Sequence, residues 1–541
     1  MPNDSVSPSS IPTPAQCVLR EMLTHAADRH PERDAVRFWR GETWTYRALR
    51  ERVTRRAAAL REAGVAQGDH VLTFMNNGPE LLVTWYAINW LGAVYVPVNT
   101  AARGRPLAHI LTNADAEVMI AHPGALARLE GIETGALGTV LVPPGFAGEG
   151  EAAPVPGLVV RPLAEPEGAV GDVAPQRPIM PWDAQAIMYT SGTTGNAKGV
   201  VFSYVQHWTM GPEAMHAITE DDVTMICGPI FHCGSTLYVN TMLARAGTIA
   251  MVPEFRTADF WDAVRETGST AVLLLGVMAS FLLKAPETAG DKDHPLAKVY
   301  IVPFGEDAPR FRDRFGVSLY TVFNMTEIAS PLVAGPGIET PGLAGTARPP
   351  FELRIADADD LPQPDGTVGE LLVRSHRPWA LFSGYYKNPE ATAAALRNGW
   401  FHTGDAFRRE ADGTFTFVDR LKDVIRRRGE NISSFELESE ILTHPAVQEA
   451  VAVAVPSDVT EDEVLAVVVA VPGGTIDPAG LIEHLAERLP HHMVPRYVRI
   501  VDALPKTASG KLQKHELRTA GLTDDTFDRE AAGIRIRRAK L

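Results

Sequence analysis

The sequence predicts an α/β protein: a large N-terminal domain of mainly parallel sheets flanked by helices, a β-rich subdomain, and a small α+β domain at the C-terminus. Three observations predict it. At 541 residues the chain is several times the usual domain length. Through about residue 350, helical apolar periodicity alternates with short apolar runs, the pattern of parallel strands joined by helices. Beyond that point the period falls to two, the pattern of antiparallel strands with one wet face.

The elements follow in order. Residues 1–14 have no basic start followed by an apolar run, so they read as a flexible polar leader rather than a secretory signal. TYRALRERVTRRAAAL, from Thr45, repeats apolar residues at helical spacing. GVAQGDHVLTFM reads as a turn and a buried strand, and PELLVTWYAINWLGA as a helix opened by Pro79. AVYVPVN is another strand, and 144–182, rich in Gly, Pro, Ala and Glu, reads as a surface excursion. The strand AQAIMYT follows, with a helix expected after Gly199, and then helix and strand again in WDAVRETGSTAVLLLG. FELRIAD, GELLVRS and TFTFVDR are the period-two strands. The remainder reads helix (FELESEILTH), two strands (VQEAVAVAVP, VLAVVVAVP), helix (PAGLIEHLAERL) and a final loop. Domain boundaries are therefore expected at 15–421 and 422–541.

Composition removes several function classes. The formal charge of −15 argues against nucleic-acid binding, which needs a basic surface. The apolar run AVLLLGVMASFLL is too short to span a bilayer and contains Gly276. The three cysteines, Cys17, Cys227 and Cys233, fit neither a disulfide framework nor a zinc cluster, which points to a reducing, cytoplasmic setting.

The sharpest local signal is YTSGTTGNAKGV, Tyr189 to Val200. A strand runs into a turn holding Thr190, Ser191, Gly192, Thr193, Thr194 and Gly195, with Lys198 close behind. Glycines let several backbone N–H groups point at one anion, the hydroxyls add donors, and Lys198 adds charge. The set suits a triphosphate tail. It is not a Walker loop, because Ala197 precedes the lysine and Gly199 follows it.

This string resembles the phosphate loop of the acyl-adenylate-forming superfamily: acyl-CoA synthetases, adenylation domains of peptide synthetases and beetle luciferases. The resemblance continues in family order through PIFHCGS (229–235), FNMTE (323–327), GYYKNPEAT, GWFHTGD (399–405), DRLKD (419–423), RRRGENIS and PKTASGKLQK (505–514). Within the superfamily, 425–433 and the ending TFDREAAGIRIRR are most similar to crotonobetaine/carnitine-type CoA ligases. The resemblance implies ATP bound at the junction of a large N-terminal domain and a small mobile C-terminal domain, an acyl-AMP intermediate with pyrophosphate release, and transfer to coenzyme A. The phosphate-loop residues would hold the β and γ phosphates, Thr326 the α-phosphate, and Glu327 a Mg²⁺ ion. Gly305, Phe323 and Asn324 would line the nucleotide, with Phe323 against adenine. Asp405 offers two acceptor oxygens to a ribose diol, with Arg420 as a second ribose or phosphate contact. Lys511 would reach both the carboxylate and the α-phosphate. Lys422 takes the hinge position, and rotation there would bring Arg426, Arg427 and Arg428 toward coenzyme A, although a solvated basic strand reads equally well. His232 is either a gate to the acyl pocket or a satisfied core histidine.

Two departures bear on substrate. Phe323-Asn324 stands where the family usually has Tyr-Gly, and Phe304 precedes Gly305 where a small residue usually floors the acyl pocket. Both add volume, so a short, polar or aromatic acid is expected. Activation of nitrite for diazotization of an arylamine, and loading of a separate carrier protein, are the alternatives. The expected partners are a small acid or oxyanion and coenzyme A, with no nucleic acid and no membrane, and a homodimer is compatible with the chain.

Overall fold

The structure is a computed structural model that describes residues 9–146, 154–168, 170–171, 173–190, 197–427, 430–457, 462–489, 491–506 and 512–536. The chain divides into two compact units: residues up to Leu353 with Val373–Phe401, and Arg354–Leu372 with residues from His402 onward.

In the first unit, helix Tyr46–Glu62 begins where Thr45 Oγ1 accepts the Ala48 N–H at 3.2 Å, replacing a bond the first helical turn cannot make. It packs on helix Pro79–Trp90, whose residues 81–90 are all buried, as expected of a helix apolar on every side. Among the described residues, one sheet runs Val159–Pro162, Thr139–Val142, Val118–Ala121, His70–Phe74, Val94–Pro97, Ala184–Thr190, Lys198–Ser203. Every pairing in it is parallel except the last.

Two elements differ from expectation. The excursion at 144–182 contributes the edge strand Val159–Pro162, where Pro162 is tolerated because an edge needs no second ladder of N–H donors. The helix expected directly after Gly199 is instead the strand Lys198–Ser203, which forms a hairpin with Ala184–Thr190. Val200 and Phe202 are fully buried on one side of this strand, and burial of the alternating branched and aromatic residues outweighs helix formation. The helix starts at Tyr204, where Ser203 Oγ accepts the Gln206 N–H at 3.0 Å.

The second sheet of this unit runs Thr43–Thr45, Asp34–Phe38, Thr248–Met251, Val223–Ile226, Ala271–Leu275, Lys298–Val302, Ser318–Met325, Ala329–Ala334, Leu343–Ala347. Its centre is parallel. It therefore gathers the carboxyl ends of several strands on one side, the place where open α/β sheets bind ligands.

A buried charge cluster braces this unit. The Arg377 side chain is 0% exposed, and its guanidinium meets both oxygens of Glu213 at 2.7 Å. It also donates to Thr209 Oγ1 at 3.0 Å and to the Ser10 carbonyl at 2.8 Å. Arg377→Ala is expected to destabilise the unit by about 3 kcal/mol, because it leaves buried acceptors without their donor. A thermal melt near that of the native protein would refute this.

In the second unit, Phe401–Arg409 and Thr414–Arg420 form an antiparallel hairpin with a bulge at Ala406/Phe407. A four-stranded sheet then orders Val447–Pro456, Asp462–Ala470, Tyr497–Ile500 and Phe527–Asp528. Helices Ser434–Leu442 and Pro478–Ala486 close one core with it, around Leu437, Ile441, Val464 and Leu481. The end of the chain, read above as a loop, contains the helix Lys514–Ala520. Leu517, its one buried apolar side chain, anchors it on the other face of the sheet. A single apolar anchor in seven residues is too weak a periodic signal to announce a helix.

Candidate active site

In the first unit, Phe323, Asn324, Thr326 and Glu327 lie at or just beyond the end of strand Ser318–Met325. Phe323 and Asn324 close the strand, and the Ile328 N–H returns to the Met325 carbonyl at 3.2 Å, which turns Thr326 and Glu327 out of the sheet. Helix Cys233–Ala244 starts against this turn. Cys233 Sγ lies 3.3 Å from Thr326 Oγ1, and Asn324 Nδ2 lies 3.9 Å from the same sulfur. Gln206 Nε2 donates to the Thr326 carbonyl at 2.6 Å. His232 is the residue before the helix; it has an extended backbone, and its ring is 4.7 Å from that of Phe231.

Glu327 is 7% exposed and accepts a hydrogen bond from the Tyr385 hydroxyl at 3.0 Å. Burial holds the Tyr385 phenol far above its ordinary range, with the neighbouring Glu327 charge adding to the effect, so the hydroxyl stays protonated and donates. The Lys198 ammonium sits over the same ring, 4.8 Å from its centroid. Thr190 and Lys198 are cross-strand partners, so they mark the two ends of the loop expected to hold phosphates. Ser191, Gly192, Thr193, Thr194 and Gly195 lie outside the described residues, as does Lys511.

Phe304, expected to add volume to the acyl pocket, is instead taken up by the core. The Phe304 ring is 1% exposed, within a cluster that includes Val252, Phe260, Ile301 and Phe311. A Cβ built on Gly305 would meet nothing within 4 Å, so its backbone faces open space.

The second unit carries the remaining residues. Asp405 and Arg420 face each other across the hairpin, with Arg420 Nε 3.8 Å from Asp405 Oδ1. Asp405 is 7% exposed. Gly404 before it has φ +70°, a left-handed conformation that glycine adopts without strain, and its N–H donates to Glu370 Oε1 at 2.8 Å. Lys422 lies in the turn after Arg420. Burial lowers its pKa, and the nearby Arg420 charge lowers it further. Arg518 donates to the Lys422 carbonyl and pairs with Asp423 at 2.5 Å.

One expectation is corrected. Arg427 is not available to coenzyme A phosphates: its side chain is 1% exposed and pairs with Glu463 at 2.7 Å. It also donates to the carbonyls of His492 and Val494. A guanidinium turned into a core needs such acceptors, and the alternation of the strand turns this one inward. Arg428 lies outside the described residues, and so does the side chain of Arg426.

Sequence reasoning did not single out Tyr385, Cys233 or Gln206. Tyr385 stands in GYYKNPEAT and Cys233 in PIFHCGS, so motif membership was a usable signal for both. Gln206 lies 120 positions from Thr326 and carried none.

The cysteines are free and buried. Burial raises all three thiols, Cys227 to about 12 and Cys233 to about 11. The native protein at pH 8 is therefore expected to show almost no prompt reaction with Ellman's reagent, and three thiols after denaturation. A prompt native equivalent would contradict this.

The chemistry of the donor set also bears on a metal. Among the described residues, no three His, Cys, Asp or Glu side chains converge as a metal site. One buried carboxylate, Glu327, fits an ion that takes one or two protein oxygens and completes its shell with phosphate oxygens and water, as Mg²⁺ does.

The family model for AMP-binding enzymes matches residues 23–386, and that for the AMP-binding enzyme C-terminal domain matches 436–511. The chain belongs to the AMP-binding enzyme family. It is an AMP-forming ligase of the acyl-CoA synthetase type. Among its relatives, the crotonobetaine/carnitine–CoA ligase of Salmonella paratyphi A is 30% identical over 520 residues, 92% of this chain and 98% of that protein. ATP-bound MatB from Rhodopseudomonas palustris is similar in structure, with TM-score 0.76 and 27% identity over 93% of this chain and 99% of that one. The amide bond synthetase McbA from Marinactinospora thermotolerans gives TM-score 0.78 and 26% identity, again over 93% of this chain and 99% of that one. No helix among the described residues is long and apolar enough to cross a membrane.

Proposed function

We propose that this AMP-binding enzyme joins a short, polar or aromatic carboxylic acid to coenzyme A through an acyl-AMP intermediate. The observation that carries the reading is the meeting of Lys198 and Glu327 on the Tyr385 side chain, with Thr326 beside Glu327 in the turn just beyond strand Ser318–Met325. In the first half-reaction a carboxylate oxygen attacks the α-phosphorus of ATP, and the bond to pyrophosphate breaks. Two anions must meet, so positioning and charge neutralisation supply most of the catalysis. Thr190 and Lys198, with the loop between them, hold the β and γ phosphates. Thr326 donates to the α-phosphate, and Lys511 neutralises the attacking carboxylate and the α-phosphate together. Glu327 would hold Mg²⁺, which supplies charge neutralisation at the phosphate oxygens. Gly305, Phe323 and Asn324 line the nucleotide, and Asp405 with Arg420 receives the ribose. In the second half-reaction the thiol attacks the acyl carbon and AMP leaves. Lys422 serves as the hinge between a domain of residues 15–421 and one of 422–541, and His232 borders the acid.

Support for a small acid comes from Asn324, which stands where the family usually has glycine; Phe304 adds none, because its ring is packed in the core. A second reading, in which an amine takes the activated group instead of coenzyme A, is favoured by the likeness to the amide bond synthetase McbA. Pyrophosphate release and product formation from Mg²⁺·ATP across short, aromatic and trimethylammonium acids, palmitate and nitrite, each alone or with coenzyme A, an arylamine or a carrier protein, test the proposal. A thioester formed from one of these acids supports it. Rapid turnover of palmitate overturns the small-acid reading. Activity confined to nitrite plus an arylamine, or product formed only with an amine, moves the enzyme to the amine-acceptor reading. Transfer only to a carrier protein would identify a free-standing loading enzyme.

A further inference from the structure

We propose that Tyr385 is a positioning residue that holds the two opposite charges of the nucleotide site apart and aimed: its hydroxyl fixes the Glu327 carboxylate and its ring seats the Lys198 ammonium. The inference rests on the reading above, in which Glu327 faces the metal and Lys198 the phosphates.

The geometry is specific. The Tyr385 hydroxyl donates to Glu327 Oε1 at 3.0 Å, while Lys198 Nζ stands 4.8 Å from the ring centroid. One side chain thus serves both charges, although the three residues are far apart in sequence. The backbone gives Tyr385 little freedom. The Ser383 N–H donates to the Val201 carbonyl at 3.0 Å, the Val201 N–H to the Gly384 carbonyl at 3.0 Å, and the Tyr386 N–H to the Gly199 carbonyl at 2.7 Å. These bonds lace the segment to the strand that carries Lys198. The Phe382 N–H donates to the Glu327 carbonyl at 2.8 Å, which ties the same segment to the other charge. Thr392 Oγ1 accepts the Tyr385 N–H at 2.9 Å, and Phe382 packs edge-on against the ring at 4.9 Å.

The physical reason is preorganisation. A lysine and a glutamate brought together at a partly dry site gain most by pairing directly, and an incoming Mg²⁺-nucleotide would first have to separate them. A phenol between them gives each charge a neutral partner: a hydrogen bond to the carboxylate and a π face to the ammonium. Both partners are weak enough to yield to phosphate and metal without a large reorganisation. Residues that orient a metal-facing carboxylate commonly affect metal affinity by about tenfold or more when removed.

The test is calorimetric titration of the full-length protein with α,β-methylene-ATP, loaded with Mg²⁺ or metal-free. It compares wild type, Tyr385→Phe, Tyr385→Leu and Glu327→Gln. Tyr385→Phe keeps the ring and its packing on Phe382, and is expected to weaken the Mg²⁺-loaded nucleotide about tenfold while leaving the metal-free one near wild type. Tyr385→Leu should weaken both, because Lys198 also loses its seat. If Tyr385→Phe binds both forms as wild type does while Glu327→Gln loses its preference for the loaded form, Tyr385 is only a packing residue and the inference is wrong. If Glu327→Gln keeps the wild-type preference, the reading of Glu327 fails and this inference falls with it. Should the leucine variant fail to fold, the phenylalanine variant alone decides the question.

Discussion

Replacing Lys511 with alanine is expected to lower acid-dependent ATP–pyrophosphate exchange by about 100- to 1,000-fold, the range seen when one preorganised donor to a developing charge is removed. The loss should fall on kcat, with the KM for ATP moving little. The lysine is proposed to act as the carboxylate approaches the α-phosphate, so it stabilises the transition state more than the bound nucleotide. The second half-reaction provides the control. Thioester formation from synthetic acyl-AMP and coenzyme A should stay close to the native rate, because that step brings no second anion to the phosphorus. Equal losses in both halves would show that Lys511 supports the site generally and would overturn its assignment to adenylation. An unchanged exchange rate would remove it from the chemistry.

Glu327→Gln is expected to cost adenylation about 100-fold, and to do so through the metal. The amide keeps the shape of the carboxylate and can still accept the Tyr385 hydroxyl bond now made at 3.0 Å, so the fold around a residue 7% exposed should persist. What is lost is the negative charge. The measurement is pyrophosphate release as a function of Mg²⁺ at saturating ATP. The variant should need more Mg²⁺ to reach half-maximal rate and should recover part of the deficit in excess metal. A variant as active as the native enzyme, with the same Mg²⁺ dependence, would mean that the ion is held elsewhere. A variant that loses activity through a lowered melting temperature would make the carboxylate a structural group.

The legible part of the site was the part written locally. A phosphate loop needs glycines, hydroxyls and a lysine within a few residues, so its chemistry is visible before folding. The same holds for the α/β class, because the alternation of helical and strand periods is a property of short windows. The parallel centres of both first-unit sheets bear out that expectation. The hairpin after the phosphate loop was misread because a short apolar run of branched residues serves either a helix or a strand. Pairing with Ala184–Thr190 decided between them.

The unreadable part was contact across sequence. Tyr385 meets Glu327 over 58 positions, Cys233 meets Thr326 over 93, and Gln206 reaches Thr326 over 120. None of these distances leaves a periodic trace. Arg427 shows the limit from the other side: in a basic run it reads as a surface charge, and only the fold places Glu463 and two carbonyls around it.

By itself, then, the sequence determined the α/β class and the order of the family's motifs, because each depends on residue types within one or two turns of chain. The tertiary structure alone decided which side chains share a site. It set the Tyr385 ring against both Glu327 and Lys198, buried Phe304 beside an open Gly305, and turned Arg427 inward. Those outcomes follow from which strands pair and which faces are buried, and that is settled by the competition among all the chain's apolar surfaces at once.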